Sequence, residues 1–186
     1  MFPVNLKARW QQAETFDLND HLLDWLLDTG SLTARLKKHS RQFRVKLLGQ
    51  TIEACHPDEA CQDIQANEQV LVREVVLLCD EIPQVFARSL IPLRSLTGKA
   101  SELANLGEQS LGQVLFNDPK LQRKAIEVAA FTQESTVFEL ARQYQLQGEN
   151  TLWGRRSVFM LDDKPLMVAE VFLPNAIAYH KERVCE

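Results

Sequence analysis

No run of apolar residues in this 186-residue sequence approaches the roughly 20 that a helix needs to span a bilayer. The N-terminus, Met1-Phe2-Pro3-Val4-Asn5-Leu6-Lys7, lacks the charged-then-apolar order of a signal peptide. Basic residues are not in excess. The 21 Lys and Arg against 25 Asp and Glu leave a net charge of -4, so a broad basic surface for nucleic acid is not expected. The four cysteines, Cys55, Cys61, Cys79 and Cys185, form no CxxC pair. Cys55 and Cys61 bracket His56 and Asp58, but no second cluster stands at metal-ligand spacing. A polar loop is therefore the better reading, and no metal is expected. These absences point to a cytoplasmic chain with reduced thiols and no membrane span. The rest is ordinary globular composition, 45% hydrophobic and 25% charged, of a size for one domain over 1–186.

The chain is organised around residues 71–92. Two runs rich in Val, Leu and Ile flank Asp80-Glu81-Ile82-Pro83, which reads as a β-hairpin. Arg73 sits inside the first arm and Arg88 inside the second. A charge in an apolar strand is costly to bury without a partner, so each either points to water or awaits an anion. Residues 152–174 repeat the arrangement, turning at Asp162-Asp163-Lys164-Pro165. At a constant offset of 82, Arg73 falls on Arg155, Asp80 on Asp162, Pro83 on Pro165 and Arg88 on Glu170. Two such hairpins are expected side by side in one antiparallel sheet. With four-residue turns, Arg73, Val75 and Leu77 share a face with Phe86, Arg88 and Leu90. Arg155, Ser157 and Phe159 then share one with Val168, Glu170 and Phe172. Glu74 falls on the opposite face with no evident partner.

Around these hairpins the signals are local. Residues 17–30 read as a short amphipathic helix capped by Asp17 or Asn19 and closed by Gly30, and Ser31 caps a second helix to about Lys38. Residues 41–48 alternate as a strand, and 51–54 add a short second one. Residues 55–68 form a polar loop. A helix near 100–105 precedes Leu106-Gly107-Glu108-Gln109-Ser110-Leu111-Gly112, whose glycines are either helix stops or a close approach of backbone to ligand. A short helical stretch then ends at Phe116. Residues 121–131 read as a strand, residues 135–146 as a helix, and 175–186 as a loosely held tail.

Five motifs occur in order: Arg73-Glu-Val-Val-Leu, Ala87-Arg-Ser-x-x-Pro92, Leu106-Gly-x-x-x-Leu-Gly112 with Leu115-Phe116, Trp153-Gly-Arg-Arg-Ser157, and Glu170-Val-Phe-Leu-Pro174. Over about residues 18–174 the sequence resembles the chorismate lyase family, bacterial enzymes that make 4-hydroxybenzoate for ubiquinone. The resemblance implies an α+β domain: a single antiparallel sheet of about six strands, with helices forming flaps over an internal ligand site. It implies no metal or organic cofactor, a chorismate substrate and a monomer. It matches Arg73 to a carboxylate-binding, catalytic arginine and Glu170 to the catalytic site glutamate. Leu32 and Leu111 match ligand-facing flap positions, and Arg88 and Arg155 are further candidates for a second substrate carboxylate. Leu32 stands where methionine is frequent, Ala87 where glycine occurs, and the stretch 132–150 is longer than expected. Pattern alone favours reading Arg73 and Glu170 as a cross-sheet ion pair or as solvated strand charges, and the family match reverses that preference. A competing function is a non-catalytic module of the same fold that binds a small aromatic acid, as in effector domains of transcription regulators.

Overall fold

The computed structural model describes residues 1–180. Cys185 and the end of the expected loose tail lie outside the described residues. Six strands form one sheet: β1 (Phe43–Ala54), β2 (Gln69–Cys79), β3 (Ile82–Pro92), β4 (Gln122–Phe131), β5 (Leu152–Leu161) and β6 (Lys164–Phe172). Their order is β1-β2-β3-β6-β5-β4, and every neighbouring pair is antiparallel. The hairpins β2–β3 and β5–β6 meet along β3 and β6, so the sheet is α+β in the expected arrangement. The two strands expected over 41–48 and 51–54 are one strand, β1, bent by a bulge between Leu47 and Gly49. A side chain at Gly49 would collide with the ring of Phe2, so the N-terminal segment packs where the strand bends.

Both hairpin turns hold two residues rather than four. Asp80-Glu81 has φ values of 49° and 63°, and Asp162-Asp163 has 48° and 60°. Two consecutive left-handed residues match the twist of the flanking strands. The hairpins then diverge. In β5–β6 the ladder is regular, and Arg155 lies opposite Glu170, as the parity argument requires. In β2–β3, Leu78 pairs with Pro83 but Leu77 pairs with Val85, which leaves Gln84 as an extra residue. This bulge slips the rest of the arm by one position. Arg73 therefore faces Ser89, while Arg88 faces Glu74. The expected sharing of a face by Arg73 and Arg88 is wrong, and the unpaired Glu74 acquires its partner.

One sheet face is covered by α1 (Asp20–Leu26), α2 (Leu32–Lys38), the 3-10 turns of Gly98–Asn105 and α3 (Leu111–Phe116). Its core falls into two clusters. Trp25, Leu26, Leu36, Val75, Leu77 and Phe172 form one, and Leu71, Ile91, Leu111, Leu115, Phe159 and Leu166 the other. Between them runs the row Arg73–Ser89–Val168–Ser157 across four strands. The second face is covered by the N-terminal segment and α4 (Thr136–Gln143), whose Val137, Phe138 and Leu140 pack with Val4, Leu6, Val76 and Phe86. The long stretch 132–150 thus builds the second core. Residues 175–180 are less loose than expected: the Tyr179 hydroxyl accepts from Trp153 N and donates to Phe172 O, both at 2.9 Å.

Candidate active site

The cavity of interest lies where the first face's two apolar clusters part. It is lined by Arg73, Ser89, Glu170, Leu32, Leu111 and Arg123, among others. Its cover is built twice from one local device. Ser31 caps α2 by accepting from Ala34 N at 3.2 Å, and Ser110 caps α3 by accepting from Gln113 N at 3.2 Å. A serine at this position satisfies an amide that the helix itself leaves unpaired. In each case the next residue is a leucine, Leu32 or Leu111, buried against the cavity. The hydroxyls of Thr33 and Ser110 lie 2.6 Å apart and join the two flaps.

Arg73 enters from β2. Its Nη2 donates to the carbonyls of Gly107 (2.9 Å) and Gln109 (2.7 Å). Among the described residues its buried Nε has no acceptor. Among the described residues no carboxylate pairs with it, and burial lowers its pKa to about 10. The glycine-punctuated loop thus serves the site through carbonyls that orient Arg73. Gly107 turns there at φ 54°, a left-handed conformation that glycine adopts without strain.

Glu170 stands on β6, two strands from Arg73 and in the adjoining row Val75–Ala87–Glu170–Arg155. Sheet spacing sets the two backbones roughly 12 Å apart. Both side chains line the same cavity. Arg155 donates from Nε to Glu170 Oε2 at 2.7 Å. Its Nη1 donates to the carbonyls of Trp25, Leu26 and Asp28 at 3.2, 3.4 and 2.7 Å. Arg155 therefore holds Glu170 in place and closes the open end of α1, which engages most of its donors.

Arg88 is corrected outright as a candidate for substrate. It lies on the second face, away from the cavity, and binds Glu59 (2.6 Å), Glu74 (2.8 Å) and Glu53 (2.9 Å). Burial works against its charge, but the carboxylates outweigh that and raise its pKa. Glu74 also accepts from the amides of Val4 (2.7 Å) and Asn5 (3.0 Å), so this network fixes the N-terminal segment. Its role is structural.

Arg123 lines the cavity and was not among the sequence candidates. Its guanidinium lies 4.6 Å from the centroid of Phe159 and 5.4 Å from that of Phe116. Nη1 donates to Asp28 O at 2.9 Å, and the buried Nε has no acceptor among the described residues. Burial, with Arg155 nearby, lowers its pKa to about 10. The one available signal was a lone arginine beside Leu121 and Ile126. The β4 ladder is irregular between Arg123 and Ile126, so alternation does not place it on a face.

A family model described as chorismate lyase matches residues 4–184. The "probable chorismate pyruvate-lyase" of Psychromonas ingrahamii is 44% identical over 161 residues, covering 87% of each chain. The protein of the same name from Pseudoalteromonas translucida is 41% identical over 179 residues, covering 96% of this chain and 98% of its own. Among solved structures, the effector domain of PhnF from Mycobacterium smegmatis is similar at a TM-score of 0.57 and 15% identity, covering 79% of this chain and 90% of its own. A GntR-family transcriptional regulator from Bacillus cereus gives 0.53 at 16% identity, covering 77% and 99%. At such identities the structural likeness concerns the fold alone.

Proposed function

This chain belongs to the chorismate lyase family, and from that premise we propose that it converts chorismate to 4-hydroxybenzoate and pyruvate. The observation that carries the reading is the cavity with Arg73 at one side, free of any carboxylate among the described residues, and Glu170 at the other. In the reaction the ether C–O bond to the enolpyruvyl group breaks, and the departing group leaves with the electron pair. A ring proton is lost, the ring becomes aromatic, and the enolpyruvate takes up a proton to become pyruvate. Aromatisation supplies the driving force. The protein's task is to orient the substrate, exclude water and stabilise the departing negative charge.

In this reading Arg73 binds the ring carboxylate. A planar guanidinium suits it through parallel hydrogen bonds, and the carbonyls of Gly107 and Gln109 hold Arg73 ready. The carboxylate also supplies the counter-charge that a buried arginine lacks. Glu170 faces the hydroxyl end of the ring. It is a hydrogen-bond partner there and the group positioned to accept the ring proton, with Arg155 fixing its orientation. The α2 and α3 flaps, joined through Thr33 and Ser110, close the cavity over the substrate at Leu32 and Leu111. The enzyme works as a cytoplasmic monomer at the first committed step toward ubiquinone. The family's chemistry supports the reaction step.

The test is incubation of the purified chain with chorismate, following 4-hydroxybenzoate by absorbance and pyruvate by a coupled assay. Equimolar formation of both is expected. Tight binding of 4-hydroxybenzoate without any product from chorismate would mean a silent binding module instead.

A further inference from the structure

Chorismate carries two carboxylates, and Arg73 accounts for one. On the proposed lyase reading, a second group holds the carboxylate of the departing enolpyruvyl arm.

Other arginines of the sheet are engaged by carboxylates. Arg155 pairs with Glu170, Arg156 pairs with Glu127, and Arg88 is on the other face with three glutamates. Arg73 and Arg123 differ from these. Both line the cavity, both have a buried Nε without an acceptor, and among the described residues neither forms an ion pair. A buried N–H is rarely left without a partner, and where it is, a ligand is the natural acceptor. The two enter from opposite sides. Arg73 is on β2 and Arg123 on β4, with β3, β6 and β5 between them. Sheet spacing sets those backbones roughly 19 Å apart. Both side chains nevertheless end at the same cavity. Glu170, on β6, lies between them. The rings of Phe116 and Phe159 hold the Arg123 guanidinium and leave it charged, since an aromatic face attracts a cation without neutralising it.

We propose that Arg123 binds the enolpyruvyl carboxylate of chorismate, the second anion anchor opposite Arg73. It then holds the arm that leaves and stabilises the charge that develops there. The aromatic product, with a single carboxylate, does not use it.

That asymmetry gives the test. The full chain, Arg123→Gln and Arg123→Lys are compared for turnover of chorismate and, by calorimetry, for binding of 4-hydroxybenzoate. Loss of a desolvated charge pair predicts a fall of about 100-fold in kcat/KM for Arg123→Gln, with product affinity within about three-fold of the parent. Arg123→Lys recovers part of the loss, because it keeps the charge without the planar fork. If substrate and product weaken together, Arg123 only shapes the cavity through its rings, and the proposal fails. It fails equally if neither changes. Should Arg123→Gln not fold, Arg123→Lys decides alone: a rise in KM for chorismate with product binding unchanged supports the anchor, and equal shifts or none overturn it. If the parent binds chorismate without releasing pyruvate, the lyase reading falls by itself. Chorismate affinity in the parent against Arg123→Gln then decides the anchor, and equal affinities overturn it. No binding of chorismate by the parent sinks both.

Discussion

Arg73 and Arg88 sit 15 residues apart on the two arms of one hairpin, and each is 2% exposed. Their surroundings are opposite. Arg73 meets two carbonyls and a cavity, whereas Arg88 meets Glu53, Glu59 and Glu74. The cause is one extra residue, Gln84, which moves Arg88 to the far face. The second hairpin lacks that bulge, so Arg155 and Glu170 stay together. Burial of a charge therefore says little about function. A buried cation with three carboxylates is part of a core, whereas one with none, facing a cavity, has a place for an anion.

Removing each charge in turn should give opposite results. Arg73→Gln is expected to lower kcat/KM for chorismate by about 1,000-fold or more, since a charged contact in a water-excluded site is lost. Its melting temperature should hold or rise, because an unneutralised buried charge has been removed. Turnover within a few-fold of the parent would end the assignment. Arg88→Gln should do the reverse. It leaves three glutamates facing one another and is expected to cost about 3–5 kcal/mol of stability in denaturant unfolding. Turnover per folded molecule should stay near the parent's. A stable Arg88→Gln variant that has lost turnover would place Arg88 in the chemistry after all.

What was legible in the sequence was local. Asn19 and Ser31 cap α1 and α2 because each accepts from an amide three residues ahead, and such spacing is visible in the sequence. Alternation marked the strands, and the Asp-rich turns marked the hairpins. The face of Arg88 was not legible. A bulge adds one residue without any compositional mark, and a slip of one exchanges every later side chain between faces. Glu74 was the trace of that error, an acid among apolar residues with no partner until the register moved. Arg123 was hidden for the same reason, behind the irregular ladder of β4. Arg155 shared its pattern with Arg73, and its ion pair with Glu170 and its bonds to α1's carbonyls distinguish its role.

Deleting Gln84 sharpens the account of the bulge. The ladder from Leu77–Val85 onward already has its final register, so the deletion should regularise the hairpin without exchanging faces. What is lost is the bond from Leu173 N to Gln84 O and the bond from Ile177 N to Gln84 Oε1, both 2.9 Å. The expected cost is about 1–3 kcal/mol, read from denaturant midpoints, with chorismate turnover retained. A folded deletion variant with no turnover would show that the bulge does more than set register.

The smallest expected effect is on pH, and it again separates the two arginines. Burial lowers the Arg73 pKa to about 10, so the folded protein releases this proton before the unfolded chain does. Above about 10 the unfolded chain binds more protons, and stability from this group rises with pH. Below it, the full cost of the buried charge is present. For Arg88, burial works against the charge but the carboxylates prevail, and the shift is upward. A bound carboxylate should return the proton to Arg73. Benzoate, which has no phenol to titrate, should therefore bind about two-fold more weakly at pH 10 than at neutral pH. Its binding should take up protons there, seen as a dependence of calorimetric heat on the buffer. Arg88→Gln should preserve that uptake. A benzoate affinity that stays flat through pH 10 would mean that Arg73 keeps its proton unaided, and that the carbonyls of Gly107 and Gln109 satisfy it without an anion.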